Sequence, residues 1–519
     1  VWISKSFTIL VAVLVYRSRI DGRRNAMRAM RKQEETTMNA MTIDSGKRRF
    51  CGRGAPAAIT LALLLAGGAA PQVWGQLYWS ANGTSAGGSG TWDTTNERWG
   101  TAAGGPFTTV WDNTANASTR AIIQTSPGTV TIQPGGISVG QIEPAGTWVF
   151  DGGPITLGSR IGNKDGGTDS YNATFKNDIS IASPGTFQLR NTGTRLTIEG
   201  QLSGSGLLTI TGVGVSVTLA GDNSGLDGGI FKLSGPAMVL GHNSALGTGE
   251  YDADTGNIAL SATKALTIAN NFKTRGTASG YRTLTLSGDH AMEFTGGFSI
   301  GNASGTAVLN VDVTSSEVMT WSGAISQSVS GTNVRGLRKR ESGTLVLSGP
   351  NTYLGATTVR AGTLYLDGTT TGMADHIVQT GGTLGGTGTV GLATDKLLTV
   401  ETGGTLAPGT VGAPVGTFTV NGDVTLESET TYLWDYANGV GDRVTVNGTL
   451  TLPSVVTTVV NQVTGTLPVP ATLFSATALA GETDLSGWVI EGLDTYEIAI
   501  DGTSVILKSP PGGSLFLLR

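Results

Sequence analysis

The sequence predicts an all-β fold, a right-handed parallel β-helix (β-solenoid) with terminal caps. Three observations carry that prediction. Glycine supplies 79 of the 519 residues without a collagen period, which reads as many tight turns. Charged residues make up only 14% of the chain, while Thr, Val, Leu and Ile recur in short alternating runs, the composition of strands. A strand–turn–strand theme then repeats at an irregular spacing of about 18 to 30 residues. One such coil cannot bury its apolar side alone, but stacked coils share a core with rungs about 4.8 Å apart. Propeller blades of fixed length fit the irregular period poorly; sandwich-like modules built from hairpins are the structural alternative.

The first element is a leader, residues 1–75. Residues 47–75 read KRRFCGRGAPAAITLALLLAGGAAPQVWG: a basic stretch, an apolar run, and a small-x-small site ending at Gly75. That is the layout of a secretory signal peptide, spanning about 42–75. The apolar run is short for a membrane span, and the segment holds Cys51, the only cysteine. Met38 and Met41 lie just ahead of the signal, so 1–41 reads either as sequence upstream of the true start or, if translated, as part of a long basic leader. The leader carries 12 of the 33 Lys and Arg and 4 of the 38 Asp and Glu, leaving the remainder with 21 basic and 34 acidic residues, a formal −13. That balance argues against a nucleic-acid partner, which needs a basic footprint. It suits a secreted or outer-surface chain, with no stable membrane span after cleavage near Gly75.

Residues 76–120 hold Trp79, Trp92, Trp99 and Trp111 among Gly/Ser turns. They read as an N-terminal cap over the first coil, with a sugar-binding platform as the rival. Residues 121–455 read as the repeat array, clearest at 341–368. There TLVL, TTVR and TLYL are strands and SGPNTYLGA and AG are turns. Val, Ile and Leu point inward along each strand, and Thr, Ser, Asn and Lys outward. Residues 456–519 shift to broader strands and read as a C-terminal β cap.

The stretch ESGTLVLSGPNTYLGATTVRAGTLYLDG at 341–368 strongly resembles the autotransporter-associated β-strand repeat, also called the passenger-associated transport repeat. The matching pieces are Gly-Thr-Leu at 343–345, 348–355, Thr-Thr-Val at 357–359 and a second Gly-Thr-Leu at 362–364. Ala356 stands where that repeat usually has a second Gly. Residues 217–249 resemble a diverged copy, 403–428 the end of such arrays, and the segment after Leu77 their opening. The resemblance implies a β-helical passenger of an envelope-bearing bacterium. Residues 456–519 are too short for the expected translocator barrel, which needs many amphipathic strands of about 9–11 residues.

The chemistry-bearing residues are scattered. Asp222, Asp227, Asp252, Asp254, Asp435 and Asp442 show no pairing that would serve glycoside hydrolysis and read as solvated turn acids. His242, His290 and His376 lie far apart, with no zinc spacing. Asp252, Asp254 and Asn257 in YDADTGNIA offer alternate hard-oxygen ligands, a weak calcium candidate. The basic patch 336–343, GLRKRESG, reads as a turn-rich linker, with contact to an anionic glycan or cleavage by a protease as the rival readings. No cofactor is implied. The expectation is a non-enzymatic structural or adhesion-like surface protein whose partners are surface glycans or other envelope proteins. The alternative is a polysaccharide lyase or hydrolase on the same scaffold.

Overall fold

A computed structural model describes residues 75–509 apart from 125, 163–169, 182–183, 234, 255–256, 276–279, 302–306, 328–333, 373, 465–466, 468 and 494–495. The leader and signal-peptide reading lies outside the described residues. The described chain is a parallel β-solenoid of about 13 turns, and every described regular element is a strand. Among the described residues no helix is long and apolar enough to cross a membrane.

Alternation along each strand builds the core. In Tyr171–Phe175, Tyr171, Ala173 and Phe175 are buried while Asn172 faces out. The inward residues then stack in register: Phe150, Phe175, Ile198, Leu219 and Leu240 occupy one column through successive strands. Phe150 and Phe175 stack face to face at 4.3 Å. Each such side chain contributes roughly 1.5–3 kcal/mol by leaving water. No rung closes a core by itself, because the inward face of a single coil has nothing opposite to bury against except its neighbours.

Three faces result. The first sheet runs from Gln76–Trp79 through Arg120–Ile123 to Ile325–Gln327, and the second extends from Gly90–Trp92 to the C-terminal end. The third is a sheet from Leu266–Ile268 to Val489–Glu491. The length of chain in a rung varies along the stack. Leu196 pairs with Val217 and Leu337 with Thr357 across short rungs, whereas Leu309 reaches its partner Leu337 across a longer one.

Two corner devices let rungs stack closely. Buried asparagines bond the turn backbone: Asn223 Nδ2 donates to Ala245 O at 2.7 Å, Asn270 Nδ2 to Gly249 O at 2.8 Å, and Asn351 Nδ2 to Gly349 O at 3.0 Å. A glycine column runs beside them. A Cβ on Gly368 would sit 2.1 Å from Gly349 O, and one on Gly388 would sit 2.0 Å from Gly368 O. Only glycine permits that approach, which explains the Ser-Gly and Asp-Gly pairs at the ends of successive strands.

The basic stretch at 336–343 is a correction. It is no linker: Arg335–Arg340 is a full strand of the second sheet, pairing with Ala307–Val313 and with Thr357–Val359. Arg335 and Lys339 take inward positions on either side of Leu337, and both are fully buried. Lys339 Nζ donates to the carbonyls of Arg340, Glu341 and Ala361 at 2.7, 2.7 and 3.2 Å. Arg340 makes a bidentate pair with Asp312 at 2.6 Å, and Arg338 lies 5.0 Å over the Tyr281 ring. The charges that mimic a solvated patch in sequence are consumed by the stack.

At the first rungs, Gln76–Trp79 pairs in parallel with Arg120–Ile123 and antiparallel with Glu97–Gly100. At the far end, Ala471–Gly481 meets Ser504–Lys508 antiparallel, and Glu497–Asp501 adds outside it.

Candidate binding surface

The transport-repeat motif divides into an inward and an outward half. Inward, Leu345, Leu347, Leu364 and Leu366 fill the core. Tyr353 is fully buried; its hydroxyl lies 2.7 Å from Thr357 Oγ1, which lies 3.2 Å from His376 Nε2. His376 Nδ1 meets Ala374 O at 3.1 Å. Burial pushes the His376 imidazole below its ordinary range. This His–Thr–Tyr relay ties two consecutive rungs and opens to no cleft.

Outward, the threonine of each Gly-Thr-Leu faces solvent. Register places Thr344, Thr363, Thr383, Thr405, Thr431 and Thr457 in one unbroken column of the third sheet. All six are partly exposed, and no described residue hydrogen-bonds their hydroxyls. A second outward column beside it holds Val346, Tyr365, Gly385 and Ala407, of which Tyr365 is partly exposed and the others are covered. Tyr365 lies against Gly385, where an added Cβ would be 2.9 Å from the ring carbon Cε1. Burial and the nearby carboxylates of Asp435, Asp367 and Asp442 raise its phenol above the ordinary range. In the preceding rungs the first column continues as Ala265, Ala291 and Val318, each one residue ahead of the paired Leu266, Met292 and Met319. These three help floor a hollow of about 290 Å³ that Asn243, Glu293 and Thr320 also line.

The acids fall into three settings. Asp222 caps its own turn, accepting from Ser224 N at 3.1 Å, and approaches His242 Nδ1 at 3.7 Å with both side chains partly exposed. The Ser224 amide holds its carboxyl below the usual range. Asp227 and His290 sit at corners between strands, as their sequence context predicts. Asp252 occupies the first sheet, buried, with Oδ2 held by Lys273 at 3.3 Å and Arg275 at 2.5 Å. Asn257 presents its carbonyl to the Lys232 ammonium at 2.8 Å, and Asp254 stands at the corner between them. Two cationic side chains thus hold Oδ2 of Asp252, one of the oxygens in the calcium candidate Asp252, Asp254 and Asn257. Among the described residues no group of three or more His, Cys, Asp or Glu is placed to share a metal ion.

Asp435 and Asp442 are the acids the structure brings together, contrary to their reading as solvated turn acids. They flank a hairpin in which Tyr436 pairs with Gly441. Asp442 Oδ2 accepts from Asp435 N at 2.9 Å and Oδ1 from Gly416 N at 2.6 Å. Burial, with a smaller push from Asp435, raises the Asp442 carboxyl to about 8 against the pull of those two amides. Asp442 is 0% exposed and Asp435 6%, so the pair braces the hairpin and offers no oxygen to a glycosidic bond.

The four N-terminal tryptophans are at most 1% exposed, with ring centroids 4.7–5.3 Å apart. No indole face is available to a sugar. Trp79 Nε1 donates to Gly88 O and Trp111 Nε1 to Ser138 O.

Stacked corners, inward aliphatic columns and outward hydroxyl ladders define a surface-presenting parallel β-solenoid. The chain carries a passenger-associated transport repeat, the family model with that description matching residues 337–366. It is also similar to the adhesin BmaC autotransporter of Brucella suis biovar 1 (strain 1330), 47% identical over 77 residues, which is 14% of this chain and 2% of that adhesin.

Proposed function

We propose that this chain is a non-enzymatic secreted or cell-surface β-solenoid that acts as an adhesion-type surface. The observation that carries the reading is where the chemistry goes. His376, Lys339, Asp435 and Asp442 are buried in contacts that hold rungs together, while the third sheet's outer face repeats uncommitted hydroxyls. The match to an autotransporter adhesin supports it. Export through the 42–75 signal, with cleavage after Gly75, would deliver the solenoid to the surface. The tryptophan cluster and the antiparallel C-terminal strands would then cap its two ends, where an open core or sheet edge invites association.

The test is binding of the purified chain to intact bacterial cells and to host extracellular matrix, run beside a polysaccharide-depolymerisation screen. Saturable binding without product formation is the expected result. Release of reducing or unsaturated sugar ends would replace this reading with the lyase or hydrolase alternative.

A further inference from the structure

The third sheet's outer face sets a threonine column beside an aromatic ring, Tyr365, and a hollow, whereas the second sheet's uncharged column of Thr369, Thr389, Thr419 and Thr445 runs beside Thr371, Gly391 and Asn421 with no ring. On the first sheet the outward column through Thr209 continues into Phe231, Asp252 and Lys273, and the charged groups pair with one another. On the second, Thr285 leads to Asp312 and Arg340, again an ion pair. On the third, the column from Thr344 to Thr457 contains only threonine. Its neighbour from Val346 to Ala407 contains only apolar residues, a glycine and Tyr365.

We propose that this face is a docking strip for an extended, uncharged, β-linked polysaccharide. The reading rests on the adhesion-type function above and names its ligand class and location. Hydroxyls recur once per rung, about 4.8 Å apart, close to the axial repeat of one sugar in an extended β-linked glycan. Each threonine can donate one hydrogen bond and accept others, matching sugar hydroxyls along a straight chain. Tyr365 supplies a ring, braced by Gly385, for the C–H face of a sugar, with polar atoms at its edge. The hollow floored by Ala265, Ala291 and Val318 continues the same line and adds the acceptor Glu293.

Charge decides between polymers. The threonine column is neutral, and the turns leading into it carry Glu341, Glu401, Glu427 and Glu429 against one cation, Arg360. A polyanion, whether nucleic acid or polyuronate, would meet repulsion there. A protein strand adding to a sheet requires a free edge, and these interior strands are paired on both sides.

The test uses the full chain with cellohexaose and chitohexaose as probes and oligogalacturonate as the anionic control, measured by titration calorimetry. Thr→Val keeps shape and strand preference while deleting the hydroxyl. The triple variant Thr363→Val, Thr383→Val, Thr405→Val should weaken binding of a neutral hexasaccharide about tenfold or more. A matched triple on the second sheet, Thr389→Val, Thr419→Val, Thr445→Val, should leave binding within about twofold. Equal unfolding midpoints in urea for all three proteins establish that fold is not the variable. Three results overturn the proposal: no binding of either neutral hexasaccharide by the unsubstituted chain, tighter binding of the oligogalacturonate, or equal losses in both triples. If the chain still adheres to cells in those cases, the adhesion reading survives without the strip. If it adheres to neither cells nor glycans, both fail.

Discussion

The rungs between 341 and 386 and those between 257 and 340 solve one packing problem in opposite ways. The first group is short: Thr344 meets Thr363, and Thr363 meets Thr383. Inward aliphatics, outward threonines and corner glycines recur there at matching positions, with Asn351 and the Tyr353–Thr357–His376 relay as the buried polar groups. The second group is longer, with Leu260 meeting Leu286 and Leu309 meeting Leu337. The extra residues go to corners, and polar groups such as Arg335 and Lys339 take inward positions. Short rungs leave no freedom, so their sequence becomes a motif; long rungs satisfy the same backbone with varied side chains, so the motif dissolves.

The largest expected effect tests the short rungs. Gly368→Ala forces a Cβ to within 2.1 Å of Gly349 O and should cost about 3 kcal/mol or more in urea unfolding. Gly297→Ala, one residue outside the same column, which passes through Gly296 in the long rungs, has its nearest contact at 3.3 Å and should cost no more than about 1 kcal/mol. Equal costs would mean that the glycine column does not set the tight pitch.

The buried amines test the long rungs. Lys339→Met leaves three turn carbonyls without their donor and should destabilise by about 2 kcal/mol at pH 7. Burial lowers both Lys232 and Lys339 to about 8, from an ordinary value of 10.5. Between those values the unfolded chain holds protons the folded chain has released, so stability should rise from pH 8 toward pH 10.5. Guanidinium unfolding across that range checks it; a flat profile in the unsubstituted chain would show that these amines are not desolvated.

Two acid–base groups should give smaller slopes of opposite sign to one another. Asp442 is raised to about 8, so its contribution is present below about pH 4 and is lost as pH rises toward 8. Asp442→Asn loses one of two amide-to-oxygen bonds, costing about 1 kcal/mol at pH 5, and should gain on the unsubstituted chain at pH 8. His376 is lowered by burial, so its contribution is present above about pH 6.5 and is lost as pH falls through its depressed value. Thermal melts of His376→Gln between pH 5 and 7 should show a shallower acid-side decline. Smallest of all, the strip triple Thr363→Val, Thr383→Val, Thr405→Val should move stability by less than about 0.5 kcal/mol, since partly exposed hydroxyls without partners hold nothing together.

Much of this architecture is legible from local pattern. Alternation in TLVL and TLYL predicts which leucines enter the core, and the repeated Gly-Thr-Leu predicts a stack. Arg335–Arg340 misleads because a run of cations resembles a solvated linker, whereas backbone carbonyls at the end of its own strand and from the next rung solvate Lys339 in place of water. Asp435 and Asp442 mislead because their spacing hides a hairpin that closes them into one buried pair.

The sequence by itself determined the solenoid class, the inward and outward faces of its strands, and the residues that turn its corners. These are local properties, set by side-chain alternation and backbone freedom. Tertiary structure alone decided which rung residues become neighbours: the threonines in one column, the His–Thr–Tyr relay and the carboxyl pair. Neighbourhood across rungs depends on how much chain each corner absorbs, and that is settled only when the coils stack and share a core.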